Sequence, residues 1–440
     1  MNTSSFLKKL LRKVAAPVDS ARTAERKARE VVAMCHALMS ERGEVSGAAL
    51  ARDTLAAYDA LPANALKPLV DLIAAEFSPE PATIAAAAAA YAQETSPQNL
   101  IALQRAVEPP RQELFRRLNV APGATATLVD LRRRMLDEIK ANPHWVGVDA
   151  DLVHLFGSWF NRGFLRLERI DWRTPAIILE KLIRYEAVHE IAGWQDLHRR
   201  LAADRRCFAF FHPALPEEPL IFIEVALTDG ISAAVAPLLD PASAEEDPAR
   251  ADCAIFYSIT NCQDGLRGIS FGNLLIKQVV HEIGREFPRL KTFATLSPVP
   301  GFRAWLAGVV GDQPALLPEL ARLGKPDWFA DAEFAARLKP QLMQLCAYYL
   351  LAAKKDDEPL DAVARFHLGN GARMERLHWL ADTSVQGMQR SGGLMVNYVY
   401  RLADVESNHE AFVREHAVSA SYELKKLARE CALSGDVIKS

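Results

Sequence analysis

The sequence is poor in cysteine: six in 440 residues, at Cys35, Cys207, Cys253, Cys262, Cys346 and Cys431, with no pair spaced C-x-x-C. That excludes a disulfide framework and predicts reduced thiols in a cytoplasmic chain. There is no long apolar run. The most apolar tract, Thr83-Ile84 followed by six alanines and Tyr91, falls short of the ~18–20 residues that span a bilayer, and it reads as a tightly packed helix. The basic, amphipathic start, Phe6-Leu7-Lys8-Lys9-Leu10-Leu11, lacks the apolar core of a secretory signal and reads as a frayed surface helix. Charge of one sign is missing too: 52 Lys+Arg against 55 Asp+Glu leave −3, so no global field calls for nucleic acid. Neither a Walker loop nor a G-x-G-x-x-G after a strand occurs. His281-Glu282-Ile283-Gly284-Arg285 starts like H-E-x-x-H but ends in Arg285, so the second ligand is missing and no metal is expected. No internal repeat or low-complexity linker is found.

What is present is the balance of a soluble globular protein, 50% hydrophobic and 24% charged. The length predicts two to four domains of about 100–200 residues each. Residues 1–158 read as an all-helical bundle. Apolar stripes at helical spacing run through 22–41, 47–61, 65–77, 82–94, 97–107 and 124–141, separated by breakers such as Pro62, Pro109-Pro110 and Pro122-Gly123. Short connections imply antiparallel packing, and the bundle reads as a scaffold or oligomerisation surface. Residues 159–440 read as a mixed α/β domain. β-branched and aromatic runs at 207–211, 220–227, 252–259, 291–296 and 395–400 predict strands. Helices are expected from Thr174-Pro175 through Tyr185, and at 194–203, 272–286, 302–309, 339–353 and 409–431.

Three segments could carry chemistry. The first is the loop Asn261–Asn273, between a strand and an amphipathic helix. Its Gly265, Gly268 and Gly272 permit close backbone approach and positive φ. Free N–H groups at such a turn suit a pyrophosphate, and Arg267 adds a cation. The same loop spells Gly268-Ile269-Ser270-Phe271-Gly272, a literal G-x-S-x-G; a hydrolase would use Ser270 with His367 or His378 downstream. The second is Thr295-Leu296-Ser297-Pro298-Val299-Pro300-Gly301-Phe302, where a serine at a strand end is followed by a rigid proline turn. Carboxyl ends of strands line ligand crevices, but a serine there also caps turns. The third is Ala364-Arg365-Phe366-His367-Leu368-Gly369-Asn370-Gly371-Ala372. A histidine in this setting serves proton transfer or sits satisfied in a core.

At these segments the chain resembles the malonyl-CoA decarboxylase family. The likeness is carried by Ile255-Phe256-Tyr257-Ser258-Ile259, Gly272 with Leu275-Ile276-Lys277, and Arg285-Glu286-Phe287-Pro288. It continues through Leu296-Ser297-Pro298-Val299-Pro300-Gly301-Phe302, Phe366-His367-Leu368 with Asn370-Gly371-Ala372, and Trp379-Leu380-Ala381-Asp382. Gly392-Gly393-Leu394-Met395 with Asn397, Tyr398 and Tyr400 completes it, and Trp159-Phe160 and Glu186-Ala187-Val188-His189 extend it upstream. The resemblance implies a helical N-terminal domain, a catalytic domain of the GNAT acyltransferase type, and a tetramer built from dimers. It implies that Arg267, Gly268, Ile269, Ser270, Phe271, Gly272 and Asn273 hold the coenzyme A portion, that Ser297 contacts the malonyl group, and that His367 donates the proton. No metal or organic cofactor is implied, because the thioester itself takes up the electrons. The chain ends Val437-Ile438-Lys439-Ser440 instead of Ser-Lys-Leu, so a bacterial-type cytoplasmic enzyme is expected. An acyltransferase on the same fold and a non-catalytic acyl-CoA-binding protein stand as the alternatives.

Overall fold

The structure is a computed structural model, and residues 3–269, 275–312, 319–325 and 327–433 are described. Clustering of contacts divides the chain into two units: one holds the chain up to Leu165 with His212–Pro216 and the loop from Gln263, the other the remainder.

The first unit is helical. Its helices are α1 (Thr3–Ser40), α2 (Glu44–Asp59), α3 (Leu66–Glu76), α4 (Pro81–Gln93), α5 (Pro97–Val107), α6 (Pro110–Leu118), α7 (Ala124–Glu138) and α8 (Val146–Trp159). The interior follows the sequence stripes: Ala24, Ala28, Val31, Val32, Cys35 and Leu38 of α1 are buried, and α1 packs on α2, α3 and α6. Helix α6 departs from the sequence expectation, which treats Pro109-Pro110 only as a breaker. Pro110 occupies the first helical turn, where its missing N–H is no loss. Within this unit the buried Arg111 pairs with Asp151, and His36 and His144 bond Glu76 and Asp71.

The second unit carries β1 (Arg166–Ile170), α9 (Ala176–Tyr185), α10 (Trp194–Arg200), β2 (Arg205–His212), β3 (Leu215–Thr228), α11 (Ala236–Leu239) and β4 (Cys253–Asn261). It continues with α12 (Leu275–Glu286), β5 (Thr292–Thr295), β6 (Ser297–Pro298), α13 (Phe302–Asp312), α14 (Ala332–Leu351), β7 (Lys354–Lys355), β8 (Glu358–Pro359), α15 (Ala362–Gly369), β9 (Arg373–His378), α16 (Val385–Ser391), β10 (Met395–Val399), α17 (Val405–Glu415) and α18 (Tyr422–Arg429). The strand order is β1-β2-β3-β4-β5-β10-β6, with β9 also on β10. The β4–β5 pair is parallel, while β1–β2, β3–β4, β5–β10, β6–β10 and β9–β10 are antiparallel. The fold class is thus as expected, a helical N-terminal region followed by a mixed α/β region.

Burial explains the strands. Alternate residues Cys207, Ala209 and Phe211 of β2 join Ile178, Leu182 and Phe222 in one core cluster. Cys253, Ile255 and Tyr257 of β4 join Ala294, Leu296, Met395 and Val399 in another. Each large apolar side chain so buried contributes about 1.5–3 kcal/mol. Two details differ from the sequence expectation. The helix expected at 409–431 is two, because His416 caps α17 in the left-handed region at φ 52°. The helix expected from 339 begins at Ala332 and runs through Pro340.

Candidate active site

Strands β4 and β5 start together and then part. Their pairing ends at Phe256–Thr295, although β4 runs on to Asn261. Where two strands separate, the sheet opens a crevice that a ligand can enter. A cavity of about 260 Å³ lies here, lined by Phe256, Tyr257, Ile259 and Asn261 of β4, by Val188 and Ile221, and by Ser297, Pro298, Ala362, Val363, Phe366 and His367. Two of the three sequence segments, 295–302 and 364–372, therefore meet across this cavity.

Ser297 is placed by β10. Its short strand pairs Ser297 with Val396 and Pro298 with Met395, and Ser391 Oγ accepts from the Val299 N–H at 3.1 Å. His367 is placed by α15, which Asp361 caps by accepting from Ala364 N–H at 2.9 Å. One side chain touches both supports. Tyr349 Oη donates to Asp361 Oδ2 at 3.3 Å, and a Cβ on Gly301 would come within 2.2 Å of that same Oη. Glycine is needed at 301 to let Tyr349 in.

The polar atoms form one directed chain. Ser297 Oγ donates to Thr295 Oγ1 at 2.9 Å. With its only proton used there, Ser297 accepts from His367 Nε2 at 3.2 Å. Nδ1 is then the bare nitrogen of a neutral imidazole, and Tyr400 Oη donates to it at 2.8 Å. Thr295 is itself fixed, accepting from Tyr398 N–H at 3.2 Å while its carbonyl accepts from Asn397 Nδ2 at 2.7 Å. The imidazole stacks on Tyr398 with ring centroids 4.4 Å apart and meets Phe366 edge-on at 5.1 Å. Only 3% of His367 is exposed, and burial pulls its pKa down to about 3. The same burial pushes the Tyr400 and Tyr398 hydroxyls well above their usual range. The wall of the cavity thus holds a buried, neutral histidine whose proton points at Ser297.

A second buried set supports the wall. Glu186 Oε1 accepts from Val188 and His189 N–H groups, at 2.7 Å each. Its Oε2 accepts from Ser258 Oγ at 2.8 Å. This ties Val188 to β4. Sequence reasoning quoted Glu186, Tyr398 and Tyr400 for their resemblance without a role and named Thr295 only as a neighbour. The available signal was a tyrosine or threonine on a strand next to an already suspected group.

The loop segment is divided. Arg267 is exposed and pairs with Asp264 at 2.8 Å, Gly268 lies at φ +82°, and Ile269 is buried. These residues belong to the helical unit. Ser270, Phe271, Gly272 and Asn273 lie outside the described residues, as does the nucleophile-elbow reading of Ser270. All six cysteines are buried, and none is joined in a disulfide. Among the described residues no helix is long and apolar enough to cross a membrane, and no three His, Cys, Asp or Glu side chains gather as metal ligands.

A family model described as the malonyl-CoA decarboxylase C-terminal domain matches residues 163–436, and one described as its N-terminal domain matches residues 77–160. The chain belongs to the malonyl-CoA decarboxylase family. The mitochondrial malonyl-CoA decarboxylase of Anser anser anser is 38% identical over 343 residues, which is 71% of this chain and 68% of that protein. The crystal structure of the family member from Rhodopseudomonas palustris shares 52% identity at a TM-score of 0.87, covering 91% of this chain and 99% of that one. The member from Agrobacterium vitis shares 49% at 0.84, with the same coverage.

Two outcomes are expected from this geometry. Tyr400→Phe leaves the buried Nδ1 without its donor. Turnover should fall by roughly tenfold or more, with ~1–3 kcal/mol lost from stability; steady-state kinetics and urea unfolding check both. The second concerns acid. A histidine held below its unfolded value of about 6.5 stabilises the fold above that pH, and the stabilisation is lost as pH falls from 6.5 towards 3. His367→Gln should flatten the decline of the urea midpoint between pH 6.5 and 4. Equal declines in variant and wild type would contradict the assignment.

Proposed function

We propose that this chain converts malonyl-CoA to acetyl-CoA and CO₂. The observation that carries the reading is the buried Tyr400–His367–Ser297 chain at the wall of the cavity where β4 and β5 part. Family membership supplies the substrate class.

The chemistry asks for what the cavity offers. The bond between the carboxylate carbon and the α-carbon breaks, and its electron pair moves onto the thioester oxygen as an enolate. The α-carbon then takes one proton. The thioester is the electron sink, so the reaction as written calls for no metal, biotin or pyridoxal. Burial keeps His367 neutral. The malonyl carboxylate brings a negative charge beside it, and an opposite charge nearby favours the protonated ring. In this account substrate entry favours a second ring proton, taken from solvent at Nδ1 as Tyr400 turns to accept it, and the carbanion carbon later receives the proton already on Nε2. Ser297 holds Nε2 in place as its acceptor and, with substrate bound, turns its hydroxyl from Thr295 to donate to the departing carboxylate; it forms no acyl-enzyme. Donors to the enolate oxygen are worth roughly 2.7–4 kcal/mol each, and exclusion of water strengthens them.

Arg267, Gly268 and the residues after them hold the coenzyme A portion in this reading. The helical N-terminal domain, 1–158, serves as scaffold and oligomerisation surface for a tetramer, and 159–440 as the GNAT-type catalytic domain. Helices α4 and α5, none of whose residues is buried, offer apolar surface for assembly. The six reduced thiols fit the cytoplasm.

Incubation with malonyl-CoA alone tests the reading. Equal amounts of CO₂ and acetyl-CoA with no free thiol are expected, and Ser297→Ala and His367→Ala should each lower kcat on the order of 10² or more while the protein stays folded. Free coenzyme A without CO₂, or near-normal turnover in either variant, would overturn it.

A further inference from the structure

Arg132 of α7 is almost wholly buried, with 4% of its side chain exposed, and it does more than pair with a carboxylate. Its Nε donates to Asp149 Oδ1 at 2.7 Å. Its Nη1 donates to two backbone carbonyls of the glycine loop, Gly265 at 2.7 Å and Arg267 at 2.8 Å. The turn Asp264–Leu266 lies directly on α7: a Cβ at Gly265 would come within 2.0 Å of the Val129 carbonyl oxygen. The helix thus grips the loop from both sides, by a guanidinium fork and by a glycine contact that admits no side chain.

The grip has a directional consequence. A trans peptide plane points its C=O and the following N–H in opposite directions, and the described residues have no cis bonds. With the Arg267 carbonyl turned onto Arg132, the Gly268 N–H is turned away from α7. Gly268, at φ +82°, continues the turn in a conformation that glycine supplies without strain. Inward carbonyls and an outward N–H are the arrangement that leaves a backbone donor for an anion.

We propose that Arg132 is a positioning residue for coenzyme A: it holds the 265–268 backbone so that Gly268 N–H and the Arg267 side chain face the phosphates, and it touches no part of the substrate itself. This rests on the reading of that loop as the coenzyme A holder. Lysine cannot replace the arginine, because one ammonium on a flexible stem does not reproduce a fixed fork to two carbonyls and a carboxylate.

The test compares two substrates, malonyl-CoA and malonyl-pantetheine, which carries the same thioester but no phosphate. Wild-type enzyme should have a KM for malonyl-CoA at least about tenfold below that for malonyl-pantetheine, a preference worth about 1.4 kcal/mol. Arg132→Lys should erase most of that preference by raising only the malonyl-CoA KM, with kcat on both substrates within about twofold of wild type. Gly265→Ala, which displaces the same backbone from the other side, should give the same signature. A merely structural defect would lower turnover of both substrates together, and that result overturns the proposal. A wild-type preference that survives unchanged in Arg132→Lys overturns the positioning role while leaving the loop reading intact. A wild-type enzyme indifferent to the phosphates overturns the loop reading and the proposal with it.

Discussion

The withdrawal of one imidazole from water governs the site. His367 sits in an aromatic box of Tyr398, Phe366 and Tyr400, and burial there disfavours the charged ring. A neutral histidine needs one acceptor and one donor. The fold supplies both, Ser297 on Nε2 and Tyr400 on Nδ1. Their positions depend on β10, which pairs with both β5 and β6 and whose end leads into Tyr400. The strand that pairs with β5 and β6 is therefore also the strand that sets the partners of His367.

The cavity follows from the sheet. A parallel β4–β5 pair that parts after Phe256 leaves the far half of β4 to line a space instead of a neighbour. Phe256 and Ile259 of β4 and Val188 supply apolar lining. A low-dielectric lining strengthens every charge placed against it, and burial disfavours the charged form of His367. The loop that follows β4 is held in the helical unit through Arg132 and Gly265.

Much of this was legible in the sequence. The five strands read from β-branched and aromatic runs are there because those strands are buried. β1 and β9 went unread because their sequences, Arg166-Leu167-Glu168-Arg169-Ile170 and Arg373-Met374-Glu375-Arg376-Leu377-His378, carry charge; β1 lies at the end of the strand order, and charged edge strands are common. The break at His416 was hidden because a non-glycine residue in the left-handed region gives little sequence signal. Residue pattern alone left Ser297 and His367 open between catalysis and structure, and resemblance joined them. The chain Tyr400–His367–Ser297–Thr295 was not legible. It depends on the register of β10 against β5 and β6, which no local pattern encodes.

The central claim is that the substrate's own charge loads His367. Sulfoacetyl-CoA, whose sulfonate replaces the carboxylate and cannot leave as CO₂, isolates that step. Its binding in a weakly buffered solution at pH 8 should draw close to one proton per site into the wild-type protein, and none into His367→Gln. Tight binding to wild type without proton uptake, or equal uptake by the variant, would contradict the account.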